Sequence, residues 1–325
     1  MLRRLLWCGI ATLALAPTAF ASGGTEGVSQ GWDGVAAPNG NVRYVTLPAG
    51  NGTALAVIST HSGRVLRFAS LPGSWGVPSV TIDGSSGGGL SPDGRTLVLG
   101  DVWQQQVYPR RESSFLIIDT KTLKTQTFAR LKGDFAYDAM SPDAKTLYLI
   151  QHVSTSDLSR YVVRAYDLEA GVLKQGAIAD KTQRGWVMAG YPLTRVTSPD
   201  GRMVYTFYQR NGGYPFIHAL DTVSATAHCL GVPWRGSQDG LWKLRLSLRD
   251  GGQRLALGWP RGATFISFDT HTFRLSRPAT AGAGFPWWVV AIGAATLVAA
   301  LVGRGALARR MKSKGLLPRT GPESA

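Results

Sequence analysis

The chain has 325 residues, 44% of them hydrophobic, with 35 Lys and Arg against 20 Asp and Glu and only two Cys. That apolar content excludes a disordered polyelectrolyte, and two cysteines exclude a disulfide-stapled scaffold. The net charge of +15 would suit a nucleic-acid binder, but the two ends of the chain argue against that reading.

At the N-terminus Arg3 and Arg4 precede an apolar run from Leu5 to Ala16, and Ala19-Phe20-Ala21 offers the small-x-small pattern of a cleavage site. Residues 1–21 are therefore expected to be a secretory signal peptide. Cys8 lies inside the signal, which leaves Cys229 as the one cysteine of the mature chain. It is expected to be a buried hydrophobe rather than a nucleophile, because His228 beside it would point to the opposite face of a strand.

From residue 22 to 279 the sequence repeats itself. Ser91-Pro92-Asp93-Gly94, Ser141-Pro142-Asp143-Ala144 and Ser198-Pro199-Asp200-Gly201 each open a β-rich run, and weaker copies start at Ala37 and Ser247. Proline presets φ at the first corner, Asp bonds the backbone two residues on, and Gly takes the left-handed position. A second signature trails each copy by 22 to 28 residues: Asp119-Thr120, Asp167-Leu168, Asp221-Thr222, Asp269-Thr270 and the weaker Ser59-Thr60. The first signatures are spaced by 54, 50, 57 and 49 residues. Two turns per repeat at that period imply four strands per unit. The fold expected is all-β, a β-propeller of five four-stranded blades.

Residues 280–284 read as a short linker. The uncharged run of residues 285–303 is long enough to span a bilayer as one helix, with Trp287 and Trp288 at its outer end. Residues 304–325 form a basic tail whose Arg304, Arg309, Arg310, Lys312 and Lys314 place it in the cytoplasm. Leu317-Pro318-Arg319-Thr320-Gly321 resembles a sortase sorting pentapeptide, but it follows the span instead of preceding it and is read as chance. The protein is thus expected at the cell membrane, single-pass, with its ectodomain extracellular or periplasmic. Outside the two ends 27 basic and 19 acidic residues leave the ectodomain about +8. Export makes nucleic acid an improbable partner and favours an anionic or carbohydrate wall ligand, lipid headgroups or a protein.

The blade signatures resemble those of the TolB-like, YVTN-type and WD-repeat-like bacterial propellers, over roughly residues 30–278. The resemblance implies the fold and leaves the function open, since that group holds translocation proteins, wall proteins and enzyme-associated domains. The present chain differs from the Tol member in its C-terminal span and in lacking a recognisable N-terminal partner domain.

Both regular turns of a four-stranded blade emerge on one face, so the irregular loops crowd the other, where binding residues concentrate on a rigid scaffold. Trp103, Arg110, Arg111, Arg184, Trp186, Arg210, Trp234 and Arg235 lie in those loops. Flat rings and forked guanidinium groups suit sugar faces, carboxylates and phosphates, and these eight are the candidate ligand-binding residues. The bland alternative is that the tryptophans plug blades and the arginines are solvated. The rival function is a glycan-cleaving hydrolase or lyase with paired carboxylates in the channel, for which Asp33, Asp138 and Asp239 are the conceivable acids. No catalytic residue is assigned, and the five histidines show no metal-ligand spacing, so no metal or cofactor is expected. Gly84 to Gly89 lacks the Lys-Ser/Thr ending of a phosphate loop and reads as a loop before a strand.

Overall fold

The computed structural model describes residues 27–82, 86–102, 108–183, 185, 187–210 and 212–276. These residues form five antiparallel sheets. The first holds β2 (Gly31–Ala36), β3 (Val42–Ala49), β4 (Gly52–Ser59) and β5 (Val65–Pro72). The second holds β6 (Trp75–Pro78), β7 (Thr96–Asp101), β8 (Glu112–Asp119) and β9 (Thr125–Lys132), with the short β1 (Val28–Ser29) paired on the inner side of β6. In the third, β10 (Phe135–Met140), β11 (Thr146–His152), β12 (Arg160–Asp167) and β13 (Val172–Leu173) run in order, and β14 (Met188–Ala189) also pairs with β12. The fourth comprises β15 (Tyr191–Thr197), β16 (Met203–Gln209), β17 (Phe216–Asp221) and β18 (Thr226–Gly231). The fifth comprises β19 (Arg245–Arg249), β20 (Arg254–Gly258), β21 (Thr264–Asp269) and β22 (Leu275–Ser276). Each sheet contains the four-strand meander that the two-turn repeat predicts, and the second and third each add one short strand.

The two turn signatures prove to be one device. Ser91 Oγ donates to Asp93 Oδ1 and accepts from the Thr96 amide, while Asp93 Oδ1 accepts from the Arg95 amide. The same three bonds recur at Ser141, Asp143 and Thr146, and at Ser198, Asp200 and Met203. The threonine of the second signature then ties the two turns together: Thr120 Oγ1 donates to the Gly94 carbonyl at 2.7 Å, Thr222 Oγ1 to Gly201 at 3.1 Å and Thr270 Oγ1 to Gly252 at 2.9 Å. The last of these bonds aligns Gly252 with Gly94 and Gly201. The fifth copy of the first signature is therefore Arg249-Asp250-Gly251-Gly252, two residues downstream of the position read from Ser247, which lies inside β19.

Consecutive sheets pack face to face. Leu97, Leu99, Leu116 and Ile118 of the second sheet meet Leu55 and Val57 of the first, while their alternate neighbours Val98, Phe115 and Ile117 meet Phe135, Leu147 and Leu149 of the third. Covering both faces removes the usual in-out alternation, and β8 is buried continuously from Ser113 to Ile118. The third sheet packs on the fourth through Tyr148, Ile150 and Tyr208, and the fourth on the fifth through Phe207, Ile217, Leu255 and Leu257. Each fully buried Leu or Ile contributes about 2 kcal/mol of apolar transfer.

The glycine-rich stretch is part of an insert that reaches across the fold. Its described residues, 79–82 and 86–89, lie between β6 and β7 and are bridged through Ser79 and Gly87. On the way Ile82 N–H donates to Pro192 O of β15 at 2.9 Å. Tyr137 of β10 meets the backbone of Gly89, and a Cβ on Gly87 would lie 2.4 Å from Gly34 O of β2. These contacts reach β2, β10 and β15, the first strands of three other sheets, and fit an arrangement in which the first strands converge on a common axis, as in a propeller.

Among the described residues no helix is long and apolar enough to cross a membrane. The segments read as signal (1–21), linker (280–284), span (285–303) and tail (304–325) lie outside the described residues.

Candidate ligand face

The second-to-third connections and most inter-sheet links lie opposite the regular turns. Trp103, Arg184 and Trp186 fall outside the described residues. The other five candidates divide by their surroundings.

Arg110 is held in the interior. Its Nε donates to Asp134 Oδ1 at 2.8 Å and its Nη1 to Asp101 Oδ1 at 3.2 Å, and Nη2 donates to the Phe135 carbonyl. Burial works against ionisation of Asp134, but His152 and Arg110 outweigh it and hold that carboxyl down at about 2. For Asp101 burial wins and its carboxyl is raised, with Arg110 opposing. The guanidinium thus clamps the link between the second and third sheets. A similar clamp joins the third and fourth: Arg195 donates to the carbonyl and the carboxylate of Asp138, and through Nε to Thr206 Oγ1 at 2.8 Å. Asp138 occupies a bulge in β10, and nothing in the sequence pattern links it to Arg195, 57 residues away.

Arg111 and Arg210 are exposed at the ends of their loops. Trp234 and Arg235 belong to a larger cluster on the last two sheets. The Trp234 ring lies over Gly236 and Gly240, where Cβ atoms would come within 2.6 and 2.8 Å of it. Its Nε1 donates to Ser237 O at 3.0 Å. Phe265 stands edge-on to Trp234 at 5.2 Å and to Trp259 at 6.2 Å, so one ring joins two tryptophans. Phe265 is free to do this because the β20–β21 register slips between Leu257 and Gly258 and leaves it as the extra residue. Trp259 is 41% exposed and opens the turn Trp259-Pro260-Arg261-Gly262, closed by Gly262 N–H to Trp259 O at 3.0 Å. Arg261 holds φ 60° there, a left-handed conformation that glycine usually takes. Neighbouring loops add Trp242, 40% exposed in the 3-10 turn Gln238–Lys243, and Tyr214, 73% exposed between β16 and β17. Phe265 and Trp242 were not among the residues singled out from the sequence. The β-bulge that frees Phe265 has no local signal beyond Gly258.

The acids considered for a glycan-cleaving centre stand on three different elements: Asp33 exposed in β2, Asp138 buried against Arg195, and Asp239 exposed in the 3-10 turn. Cys229 pairs across the ladder with His218, not with His228, and its Sγ lies 3.9 Å from His218 Nδ1. Burial pushes the thiol up to about 12 and the imidazole down to about 4. Both are neutral at pH 7, the opposite of a thiolate–imidazolium pair. Among the described residues no three His, Cys, Asp or Glu side chains gather as a metal site.

The fold is of the propeller class, with a fold-level resemblance to TolB-like and WD-repeat-like propellers. No family model matches the chain, and no curated protein matches it in sequence. Among solved structures it is similar to a functionally unknown protein from Desulfotomaculum acetoxidans, at 15% identity and TM-score 0.46, covering 77% of this chain and 70% of that one. It is also similar to the β-propeller domain of Myceliophteria thermophila Cps50 (Swd1), at 9% identity and TM-score 0.43, covering 79% and 72%. TolB from Acinetobacter baumannii shares 14% identity at TM-score 0.42, covering 77% of this chain and 54% of that one.

Proposed function

We propose that the chain is a membrane-anchored, extracytoplasmic five-bladed propeller that acts as a binding module, with its irregular face turned to an anionic ligand or protein partner. The single observation that carries this reading is the cluster on the last two sheets, where Trp234, Phe265 and Trp259 are edge-packed beside the exposed Arg235 and Arg261. Aromatic edges and faces with adjacent guanidinium groups provide stacking and forked hydrogen bonds together, which suits phosphate- or carboxylate-bearing sugars and acidic protein surfaces. A signal peptide over residues 1–21 and a span over residues 285–303 would present that face outside the cytoplasm. The closed ring of five blades is read from the five sheets and from the contacts that residues 79–82 and 86–89 make with three other sheets.

The test uses the full chain with inorganic polyphosphate as probe and a neutral glucan as control. Quenching of tryptophan fluorescence by polyphosphate is expected to saturate and to weaken with salt. Changing Arg235 and Arg261 together to Ala should reduce affinity by about tenfold or more, and Trp259→Ala by a few-fold. Equal affinity for both polymers, or no effect of the arginine pair, would remove the assignment of this face.

A further inference from the structure

The ladder between β2 and β3 is broken at one place. Gly31 pairs with Thr46 and Val35 with Tyr44, so a four-residue step on β2 covers a two-residue step on β3, and Trp32-Asp33-Gly34 loops out. Only glycine permits the turn-back: Gly34 has φ +46°, and a Cβ there would sit 2.0 Å from the Tyr44 carbonyl oxygen. Trp32, the first residue of the bulge, is 62% exposed. Beside the bulge lies a cavity of about 420 Å³ whose wall includes Ser29, Asp33, Gly34, Ala36, Arg43 and, from the axial insert, Gly87. That volume falls in the range of roughly 300–1,000 Å³ typical of small-molecule sites.

The charges in this wall are the informative part. Asp33 and Arg43 are its two ionisable side chains, of opposite sign and from neighbouring strands. They form no ion pair with each other, and neither side chain has a hydrogen-bonding partner among the described residues. Arg43 faces Ala36 across the ladder, and the bulge sets Asp33 about two residues further along β3, roughly 7 Å at the rise of an extended strand. A simple anion in such a cavity is attracted by one group and repelled by the other, and so is a simple cation. A molecule that carries both charges satisfies both groups, and an extended dipeptide places its termini about 7 Å apart. We propose that this pocket binds a small zwitterion of amino-acid or dipeptide size, with its ammonium on Asp33 and its carboxylate on Arg43. The site shares no residue with the aromatic cluster and does not depend on it.

Calorimetry of the full chain with glycylglycine, N-acetylglycylglycine and glycylglycinamide tests the assignment. Glycylglycine should bind saturably, and either cap should weaken binding by about tenfold or more, the scale of one lost charge-assisted contact. Asp33→Asn should abolish the discrimination against the acetylated probe while keeping that against the amide, and Arg43→Gln should do the reverse. Absence of saturable glycylglycine binding, or equal affinity for the three probes, overturns the proposal. Should Arg43→Gln fail to fold, the capped probes on the unaltered protein still decide.

Discussion

Residue-scale conformation is set by the left-handed positions of the two turns. In the first signature Gly40, Gly94 and Gly201 hold φ values of 70°, 70° and 74°, and Ala144 fills the same place in the third copy at φ 56°. An L-residue is disfavoured there by about 1 kcal/mol, so Ala144→Gly is expected to raise the unfolding free energy by about 0.5–1 kcal/mol in urea titrations. The reverse change separates conformation from space. At Gly40 a Cβ would meet nothing within 4 Å, whereas at Gly201 it would lie 2.1 Å from the Pro92 ring. Gly201→Ala should therefore destabilise more than Gly40→Ala, by a further 1 kcal/mol or so. The second signature places Leu123, Ala225 and Phe273 at φ near 55°, alongside Gly63 and Gly171. Leu123 offsets the backbone cost by burial between the first two sheets, and Phe273 by packing on His228. The turn carboxylates add a pH term. Asp221 is held at about 2: its partial burial opposes ionisation, but Arg202 and the amides of Ser224 and Val223 outweigh it. A carboxyl depressed in the folded state stabilises above its unfolded pKa of about 4 and loses that contribution as pH falls toward about 2. Asp221→Asn should thus cost about 1 kcal/mol near pH 6, a figure discounted for solvent screening, and only a small fraction of that near pH 2. A difference between the two proteins that stayed constant over that range would show that the ionised carboxylate is not the source.

Among the elements, strands and turns differ sharply from the insert in how far the sequence discloses them. Ser-Pro-Asp-Gly and Asp-Thr declare themselves because each turn is held by bonds spanning two to five residues, and the strand between them follows from the spacing. Only the degenerate fifth copy slipped, since Ser247 imitates a signature serine while Asp250-Gly251-Gly252 makes the turn. The role of residues 79–82 and 86–89 is not legible in the sequence. Its partners Gly34, Tyr137 and Pro192 come from three other sheets, and no local pattern encodes a contact between segments so far apart. The same holds for the bulge that exposes Phe265 and for the pairing of Asp138 with Arg195. Of the eight ligand-face candidates, loop position could not distinguish Trp234 and Arg235, which lie in the aromatic cluster, from Arg110, which is bound to Asp134 and Asp101. The glycines of the insert are expected to be intolerant. A Cβ on Gly87 meets backbone, Gly34 O at 2.4 Å, whereas one on Gly88 meets the Val80 side chain at 2.6 Å. Gly87→Ala should therefore lower the thermal midpoint more than Gly88→Ala, with a loss of about 1–3 kcal/mol. Equal midpoints would mean that the insert yields as a unit and does not brace the axis.

For the whole molecule the proposed ring of five would set the first and fifth sheets against each other, and among the described residues no strand is exchanged between them: the first sheet is built from residues 31–72 and the fifth from 245–276. A ring closed without a shared strand depends on side-chain packing alone. On the face of the first sheet turned from the second, Val45, Ala56 and Ile58 are buried. On the fifth, Ala256 and Ser267 are buried although their neighbours Leu255, Leu257, Ile266 and Phe268 already serve the fourth sheet. Small residues on one side and branched ones on the other are what a close sheet-to-sheet approach requires. In the proposed five-bladed ring these two surfaces cover one another, so β4 and β20 have the same standing as the strands of any interior sheet. Amide hydrogen exchange measures this directly, because it reports the free energy of opening for each strand. The amides of Ala56 and Ala256 should be protected within about tenfold of those of Leu149 and Phe207, central residues of the third and fourth sheets. An added Val45→Asp substitution should lower protection in both β4 and β20 while sparing β11 more. If Ala56 and Ala256 exchanged faster than Leu149 by about a hundredfold or more, each end sheet would be opening independently, and the closed ring of five would have to be abandoned.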